Sequence, residues 1–199
     1  MAKAFTDEEK VVIYNKLINL GSEYIARFGF KKTSIEDISK GVGISKGAFY
    51  KFFESKEIFF FRITEEIERE IKEKAMSIIP KDRSNFKEDV LNNFFEYLSI
   101  LKEPKYAIFF GCEDYDYIIR GIREEEIAKH YKKDNEDILE IIKGAGDLID
   151  YNNLDVDFVS GIIRAIFLCL THSNQIGRDV IDKVIRAQSE ILVNHIFKI

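Results

Sequence analysis

Apolar residues recur every three to four positions along most of this chain, and only two prolines interrupt its 199 residues. That spacing puts apolar side chains on one face of a helix, whereas a half-buried strand requires strict alternation, of which we find no convincing run. The long stretches are rich in Glu, Lys and Leu, which favour helix. We therefore predict an all-α protein, folded as one domain or as a small domain followed by a larger one.

Helix-capping residues divide the beginning of the chain into segments. Thr6 and Glu9 have the spacing of a capping box, which predicts the start of a first helix, and Gly29 offers a left-handed stop for it. Ser34 is placed to cap a short second helix, which we expect to end in the glycine-containing turn at residues 41–43.

The next two helices are predicted in the same way. Ser45 is placed to cap a very short third helix, in which Phe49 and Phe52 are spaced to face inward together, with Phe53 also in the core. Ser55 then starts a long helix that is halted near Pro80. Further helices are expected at residues 84–102, 104–118, 122–145, 156–173 and 178–197.

Residues 33–57 read TSIEDISKGVGISKGAFYKFFESKE. Two short helices joined by a glycine-containing turn, behind a longer bracing helix, form the arrangement that lets the second short helix enter the major groove of DNA. Gly47 and Ala48 favour this interpretation, because small side chains in the first turn let the helix backbone approach the base edges.

The same segment resembles the DNA-binding signature of the TetR family of regulators. The resemblance is strong over about residues 8–60, and it extends to the remainder only in length and helical layout. It implies an N-terminal three-helix helix-turn-helix DNA-binding domain over 1–54 and a larger helical effector-binding and dimerisation domain over 55–199. It also implies operator DNA and a small-molecule effector as partners, and a homodimer formed through the last two helices.

The resemblance further implies which residues touch DNA. Thr33 and Ser34 would reach phosphate, residues 45–48 would lie at or near base edges, and Tyr50, Lys51 and Lys56 would contact phosphate. The complete set is Thr33, Ser34, Ser45, Lys46, Gly47, Ala48, Tyr50, Lys51 and Lys56. Ser34 and Ser45 would cap helices in a protein of any function, and Tyr50 would also suit packing between buried aromatics. Those alternatives stay open at this point.

The charge of the chain permits DNA binding once it is divided along the sequence. The formal net charge is −5. Residues 1–60 carry ten Lys/Arg and eight Asp/Glu, a balance of +2, which leaves 20 against 27, or −7, for the rest. A distant acidic domain is screened beyond about 10 Å at moderate salt, so the local balance decides phosphate contact.

The last two predicted helices carry more apolar surface than a one-sided helix needs, which favours a four-helix dimer seam. Those apolar positions are Val156, Val159, Ile163, Ile166, Phe167, Leu170, Val180, Ile181, Val184, Ile185, Ile191, Leu192 and Ile196. An effector pocket is expected where aromatic and polar residues mix. The pocket candidates are Tyr106, Phe109, Phe110, Cys112, Glu113, Tyr117, Arg164 and His172. The alternative for His172 is a structural interface histidine.

Other classes of protein are disfavoured by the motifs. Cys112 and Cys169 form no CxxC or Cys/His cluster, and no phosphate loop, GxSxG or HExxH pattern occurs, so we expect no metal site, no cofactor and no enzyme. The N-terminus lacks an apolar signal core, and the most apolar later segment, residues 165–171, is too short to span a membrane, which predicts a cytoplasmic protein with no membrane partner. A DNA-binding regulator or architectural protein without an effector remains the alternative function, and repression is favoured over activation.

Overall fold

The computed structural model describes residues 5–80, 82, 84–100, 106, 118–144, 149 and 154–197. These residues form helices and connecting turns without a strand, so the all-α prediction is confirmed. The helices are α1 (Asp7–Lys32), α2 (Ile35–Val42), α3 (Lys46–Phe49), α4 (Lys56–Ser77), α5 (Phe86–Ile100), α6 (Glu124–Lys143), α7 (Val156–Thr171), α8 (Ser173–Ile176) and α9 (Ile181–Phe197).

The described residues divide into two compact units. The first unit contains those of Met1–Ile67 and Pro104–Arg123, and the second contains those of Glu68–Glu103 and Glu124–Ile199. Helix α4 therefore begins in the first unit and continues into the second. No helix in the described ranges is long and apolar enough to cross a membrane.

Helix α1 begins as the sequence predicts and ends one turn later. The Thr6 N–H donates to Glu9 Oε2 at 2.8 Å, and the Glu9 N–H donates to Thr6 Oγ1 at 3.2 Å, which completes the capping box. Gly29, with φ of 74°, interrupts the helix as a left-handed residue, but one further turn follows. The Thr33 hydroxyl then donates to the Gly29 carbonyl at 2.7 Å and closes the helix.

Phenylalanine rings fill the core of the first unit. Phe49, Phe53 and Phe59 are almost fully buried, and their ring centroids lie 4.8 to 5.4 Å apart. The prediction that Phe52 faces inward with Phe49 is wrong, since Phe52 is only half-buried. The Phe53 N–H donates to the Phe49 carbonyl at 3.2 Å, and this four-residue spacing puts Phe53 on the inner face, where the sequence had also predicted it.

Gly21, in the middle of α1, provides a test of this packing. A Cβ there would lie 2.7 Å from Ile63 Cδ1 and 2.9 Å from Phe59 Cε1, and both of those side chains are fully buried. Overpacking costs about 1–3 kcal/mol, which outweighs the helix propensity of about 1 kcal/mol that alanine adds. We expect Gly21→Ala to lower the free energy of unfolding, measured by urea titration. Gly47→Ala, where the added Cβ meets only Ser45 Oγ at an ordinary contact distance of 3.9 Å, is the control and should not lower it.

The second unit is built from helices that pack in sequence-distant pairs. Helix α9 packs against α7 and α5, and α6 packs against α7. The predicted helices 84–102, 122–145, 156–173 and 178–197 correspond to α5, α6, α7 and α9 to within three residues at each end. The predicted helix 104–118 lies almost entirely outside the described residues.

Many residues that the sequence assigned to a dimer seam belong to the core of the second unit. Val159, Ile166, Leu170, Ile181, Ile185 and Leu192 are buried. The sequence pattern indicated that these residues form apolar surface that one chain does not need for its own core. It could not show that α9 packs against α7 and α5 of the same chain. Different apolar residues point outward, as described below.

Candidate nucleic-acid interface

Helix α2 is fixed at its start by a side-chain cap and along its length by burial. The Asp37 N–H donates to Ser34 Oγ at 3.3 Å, so Ser34 does act as a helix cap. Ile35 and Ile38 are buried where α2 packs on α1. Ser34 itself is half-buried, so capping and contact with a phosphate remain compatible.

A left-handed glycine joins α2 to α3. Gly43 has φ of 84°, and its N–H donates to the Lys40 carbonyl at 3.1 Å. The Ile44 N–H donates to the Ser39 carbonyl at 2.9 Å, which completes the hydrogen bonding at the end of α2. A side chain at position 43 would strain this conformation. The turn therefore fixes the direction in which α3 leaves α2.

Helix α3 is anchored on one side and open on the other. The Ala48 N–H donates to Ser45 Oγ at 3.1 Å, and Phe49 is fully buried beneath the helix. Lys46 and Gly47 are exposed. Tyr50 is 44% exposed, which answers the question left by the sequence: its ring packs edge-on against Phe49 while much of its surface faces outward.

Gly47 has no structural requirement to be glycine within the chain. A Cβ at this position would meet only Ser45 Oγ, at 3.9 Å. Glycine in a helix costs roughly 1 kcal/mol relative to alanine, so its presence on an exposed first turn calls for another explanation. Close approach of the α3 backbone to an external surface supplies one.

The lysines of this region differ in their partners. Lys40 Nζ lies 2.9 Å from Glu36 Oε1, and the hydrogen bond from Lys40 lowers the pKa of that carboxyl below its ordinary value. Lys46 and Lys51 are exposed and form no salt bridge within the described part of the chain. Their charges are therefore more available to phosphate than that of Lys40.

Thr33 and Lys56, both assigned to phosphate by the resemblance, are engaged inside the first unit. Thr33 is 3% exposed, and its only hydroxyl hydrogen is used by the Gly29 carbonyl. Lys56 Nζ donates to the Phe30 carbonyl at 2.7 Å and lies 4.4 Å from the centroid of the Phe30 ring. Both side chains tie the end of α1 in place, and their phosphate contacts remain predictions.

The candidate effector residues are only partly described. Tyr106 is fully buried in the first unit. Arg164, in the second unit, lies over the Tyr131 ring at 5.4 Å, and its buried Nη1 has no hydrogen-bond partner among the described residues. His172 is exposed at the end of α7, where its ring Nδ1 lies 3.0 Å from the Leu168 carbonyl. Outside the described residues lie Phe109, Phe110, Cys112, Glu113 and Tyr117.

The sequence did not identify which apolar residues of α7 and α9 face outward. Four large apolar side chains, three on these helices and one directly before α9, are 43–59% exposed. Gly161 is also exposed, and a Cβ on it would meet nothing within 4 Å. We call this surface the α7–α9 stripe, and it consists of Phe158, Gly161, Leu168, Val180 and Ile191. Val180 and Ile191 were among the predicted seam residues, whereas the three on α7 were not.

A short exposed helix, a left-handed glycine turn and a bracing helix define a helix-turn-helix DNA-binding protein. Residues 17–63 match the family model described as bacterial regulatory proteins, tetR family. The N-terminal segment of the chain is therefore similar to the DNA-binding domain of tetR-family regulators. Among curated proteins, none matches the sequence.

Solved structures share the fold over nearly the full chain. A TetR-family transcriptional regulator from Pectobacterium atrosepticum has 18% identity and a TM-score of 0.64, with 96% of this chain and 97% of that chain covered. The fatty acid degradation regulator FadR from Bacillus halodurans has 20% identity and a TM-score of 0.54, with the same coverage. SmeT in complex with triclosan has 13% identity and a TM-score of 0.54, covering 94% and 90%. At these identities the likeness shows the fold.

Proposed function

We propose that this protein is a repressor that binds a palindromic operator as a homodimer and is released by a small-molecule effector. The observation that carries the DNA-binding part is α3, whose open first turn contains a glycine that the fold does not require. We assign the protein no catalytic activity. The proposed division of labour is DNA binding by residues 1–54 and effector binding and dimerisation by 55–199.

In this proposal α3 enters the major groove with its first turn against the base edges. Ser45, Lys46, Gly47 and Ala48 lie at or near the bases, because they form the cap and the first turn of the helix. Tyr50, Lys51 and Ser34 contact phosphates on either side. The side chain of Thr33 is left out of this set, because its hydroxyl hydrogen is already donated to Gly29.

Dimerisation through α7 and α9 supplies a second copy of α3, which binds the second half-site of the operator. The α7–α9 stripe is the apolar surface offered for this purpose, and a two-fold interface would bury it against its own copy. Two recognition helices related by that axis require an inverted-repeat operator with half-site centres about 34 Å apart.

Effector release rests on family likeness and on the candidate pocket residues. SmeT, a structural relative, is known in complex with triclosan, which supports a small-molecule partner for this chain as well. The proposed sites remain Tyr106, Phe109, Phe110, Cys112, Glu113, Tyr117, Arg164 and His172. Ligand binding would shift the population away from the DNA-binding conformation.

The experiment that tests this function is selection of bound sequences from a random DNA pool by the purified full chain. Enrichment of a palindrome, bound with a stoichiometry of one dimer per site, is expected. Only weak, salt-sensitive binding with no enriched sequence would contradict operator recognition and would favour an architectural DNA-binding role. Titration of the selected operator against a chemical library then tests effector release.

Lys51 gives a prediction about the phosphate contacts. Each phosphate neutralised contributes about 0.9 to the slope of log affinity against log salt, because counterions are released. We expect Lys51→Ala to lower that slope by about 1. Lys40→Ala is the matched control and should change it less, since Glu36 already neutralises Lys40. An equal change of the salt slope in Lys51→Ala and Lys40→Ala would contradict the proposed phosphate contact of Lys51.

A further inference from the structure

A buried histidine lies between two carboxylates in the second unit. His130, on α6, is 5% exposed. Its Nε2 lies 3.5 Å from Glu68 Oε1 on α4 and 3.7 Å from Asp134 Oδ2, one turn further along α6. The three atoms lie within 4.8 Å of one another. The fold therefore brings one nitrogen and two oxygen ligands to a common point.

The distances in this cluster suit an ion better than direct hydrogen bonds. Charge-assisted N–H···O contacts are normally about 2.7–2.9 Å long, clearly shorter than the separations of 3.5 Å from His130 to Glu68 and 3.7 Å from His130 to Asp134. Two ligands that each bind Zn²⁺ at about 2.1 Å in a tetrahedron are about 3.4 Å apart. The two nitrogen–oxygen separations, 3.5 and 3.7 Å, are close to that value.

The next turn of the same two helices provides an internal comparison. Lys72 Nζ, on α4, lies 2.6 Å from both Asp137 Oδ1 and Glu140 Oε2 on α6. There a cationic side chain sits at direct hydrogen-bonding distance between two carboxylates. In the Glu68, His130 and Asp134 cluster, the corresponding distances are about an ångström longer and the central group is an imidazole, which binds metals when neutral.

The formal charges of the cluster also suit a cation. The guanidinium of Arg164 lies over the Tyr131 ring, and Arg164 forms no salt bridge with Asp134 among the described residues. The two carboxylates of the cluster carry a formal charge of −2 when ionised, which a divalent ion balances.

We propose that Glu68, His130 and Asp134 bind a divalent transition-metal ion, with Zn²⁺ as the best match. Imidazole and carboxylate ligands suit zinc, and three protein ligands leave a fourth tetrahedral position open to water or to a ligand. The bound ion joins α4 to α6. The i, i+4 spacing of His130 and Asp134 presents both on one face of α6.

Calorimetric titration of chelator-treated full-length protein with ZnCl₂ tests this site. All variants carry Cys112→Ser and Cys169→Ser, because these thiols are rival zinc ligands. One ion per chain is expected. Glu68→Gln and Asp134→Asn should each weaken binding by at least about 100-fold, more than the loss typical of an outer partner. Asp137→Asn is the matched control, and its affinity for Zn²⁺ should not change.

Two further measurements keep the result decisive. Co²⁺ bound at the site should give the visible absorption of a tetrahedral complex, and that band should disappear in His130→Gln. A double variant of the other histidines, His172→Gln with His195→Gln, should retain both signals. Circular dichroism verifies folding, and Glu68→Gln is the safest variant because Glu68 is half-exposed. Absence of zinc binding, or affinity unchanged by Glu68→Gln in folded protein, would overturn the proposal.

Discussion

Gly47→Leu is expected to abolish specific operator binding while leaving the protein folded. Apart from its chain neighbours and its own helix backbone, a Cβ at this exposed position meets only Ser45 Oγ, at 3.9 Å, so the fold has room for a side chain here. On DNA, the same side chain would hold the first turn of α3 away from the base edges. Specific binding exceeds non-specific binding by about 10³-fold or more, and we expect most of that margin to be lost.

Fluorescence anisotropy with the selected operator measures this loss, and thermal unfolding verifies the fold. The melting temperature should be unchanged or raised, because leucine is a better helix former than glycine. Asn19→Leu places the same side chain at an exposed position of α1, outside α2 and α3, and serves as the control. Full operator affinity in folded Gly47→Leu would mean that DNA does not approach α3 at this turn.

Local signals predicted the first unit well, because its helix ends are decided by neighbouring residues. Thr6, Ser34 and Ser45 each cap the helix that the sequence assigned to them, through hydrogen bonds three residues away. Gly43 was likewise expected in the turn, and its positive φ explains why. Such features depend on short-range geometry, which a sequence states directly.

Contacts between distant residues were not predictable in this way. Lys56 reaches the Phe30 carbonyl across 26 residues, so its charge could not be distinguished from that of a free surface lysine. The spacing of His130 and Asp134 on one helix was visible, but Glu68 comes from α4 and only packing brings it to them. Phe53 is buried as predicted, but Phe52 is only half-buried, because α3 ends at Phe49 and the turn that follows sets the directions of both rings.

The proposed dimer interface shows the same limit at a larger scale. Apolar content alone suggested a seam on the last two helices, although many of those residues pack inside one chain. What supports the seam is the set of residues left outside: Phe158, Leu168 and Ile191 are 45%, 59% and 56% exposed. Gly161, with open space at its Cβ, would let two copies of α7 approach closely.

Ile191→Glu is expected to convert the protein from a dimer to a monomer and to remove high-affinity operator binding. At a two-fold interface each substitution places two carboxylates against apolar surface. Burying an unpaired charge costs several kcal/mol, and about 6 kcal/mol for the pair raises the dimer dissociation constant roughly 10⁴-fold. A monomer then binds a single half-site, so the loss of the dimer also lowers the affinity for the operator.

Sedimentation equilibrium measures the dissociation constant, and operator titration of the same samples links assembly to DNA binding. Val12→Glu makes a comparable change at an equally exposed site on α1, where Val12 is 60% exposed, and should leave the dimer intact. Leu168→Glu repeats the test from α7. If Ile191→Glu and Leu168→Glu both dimerise with the dissociation constant of the wild-type protein, the interface lies elsewhere. If they become monomers yet bind the operator unchanged, dimerisation is not what pairs the recognition helices.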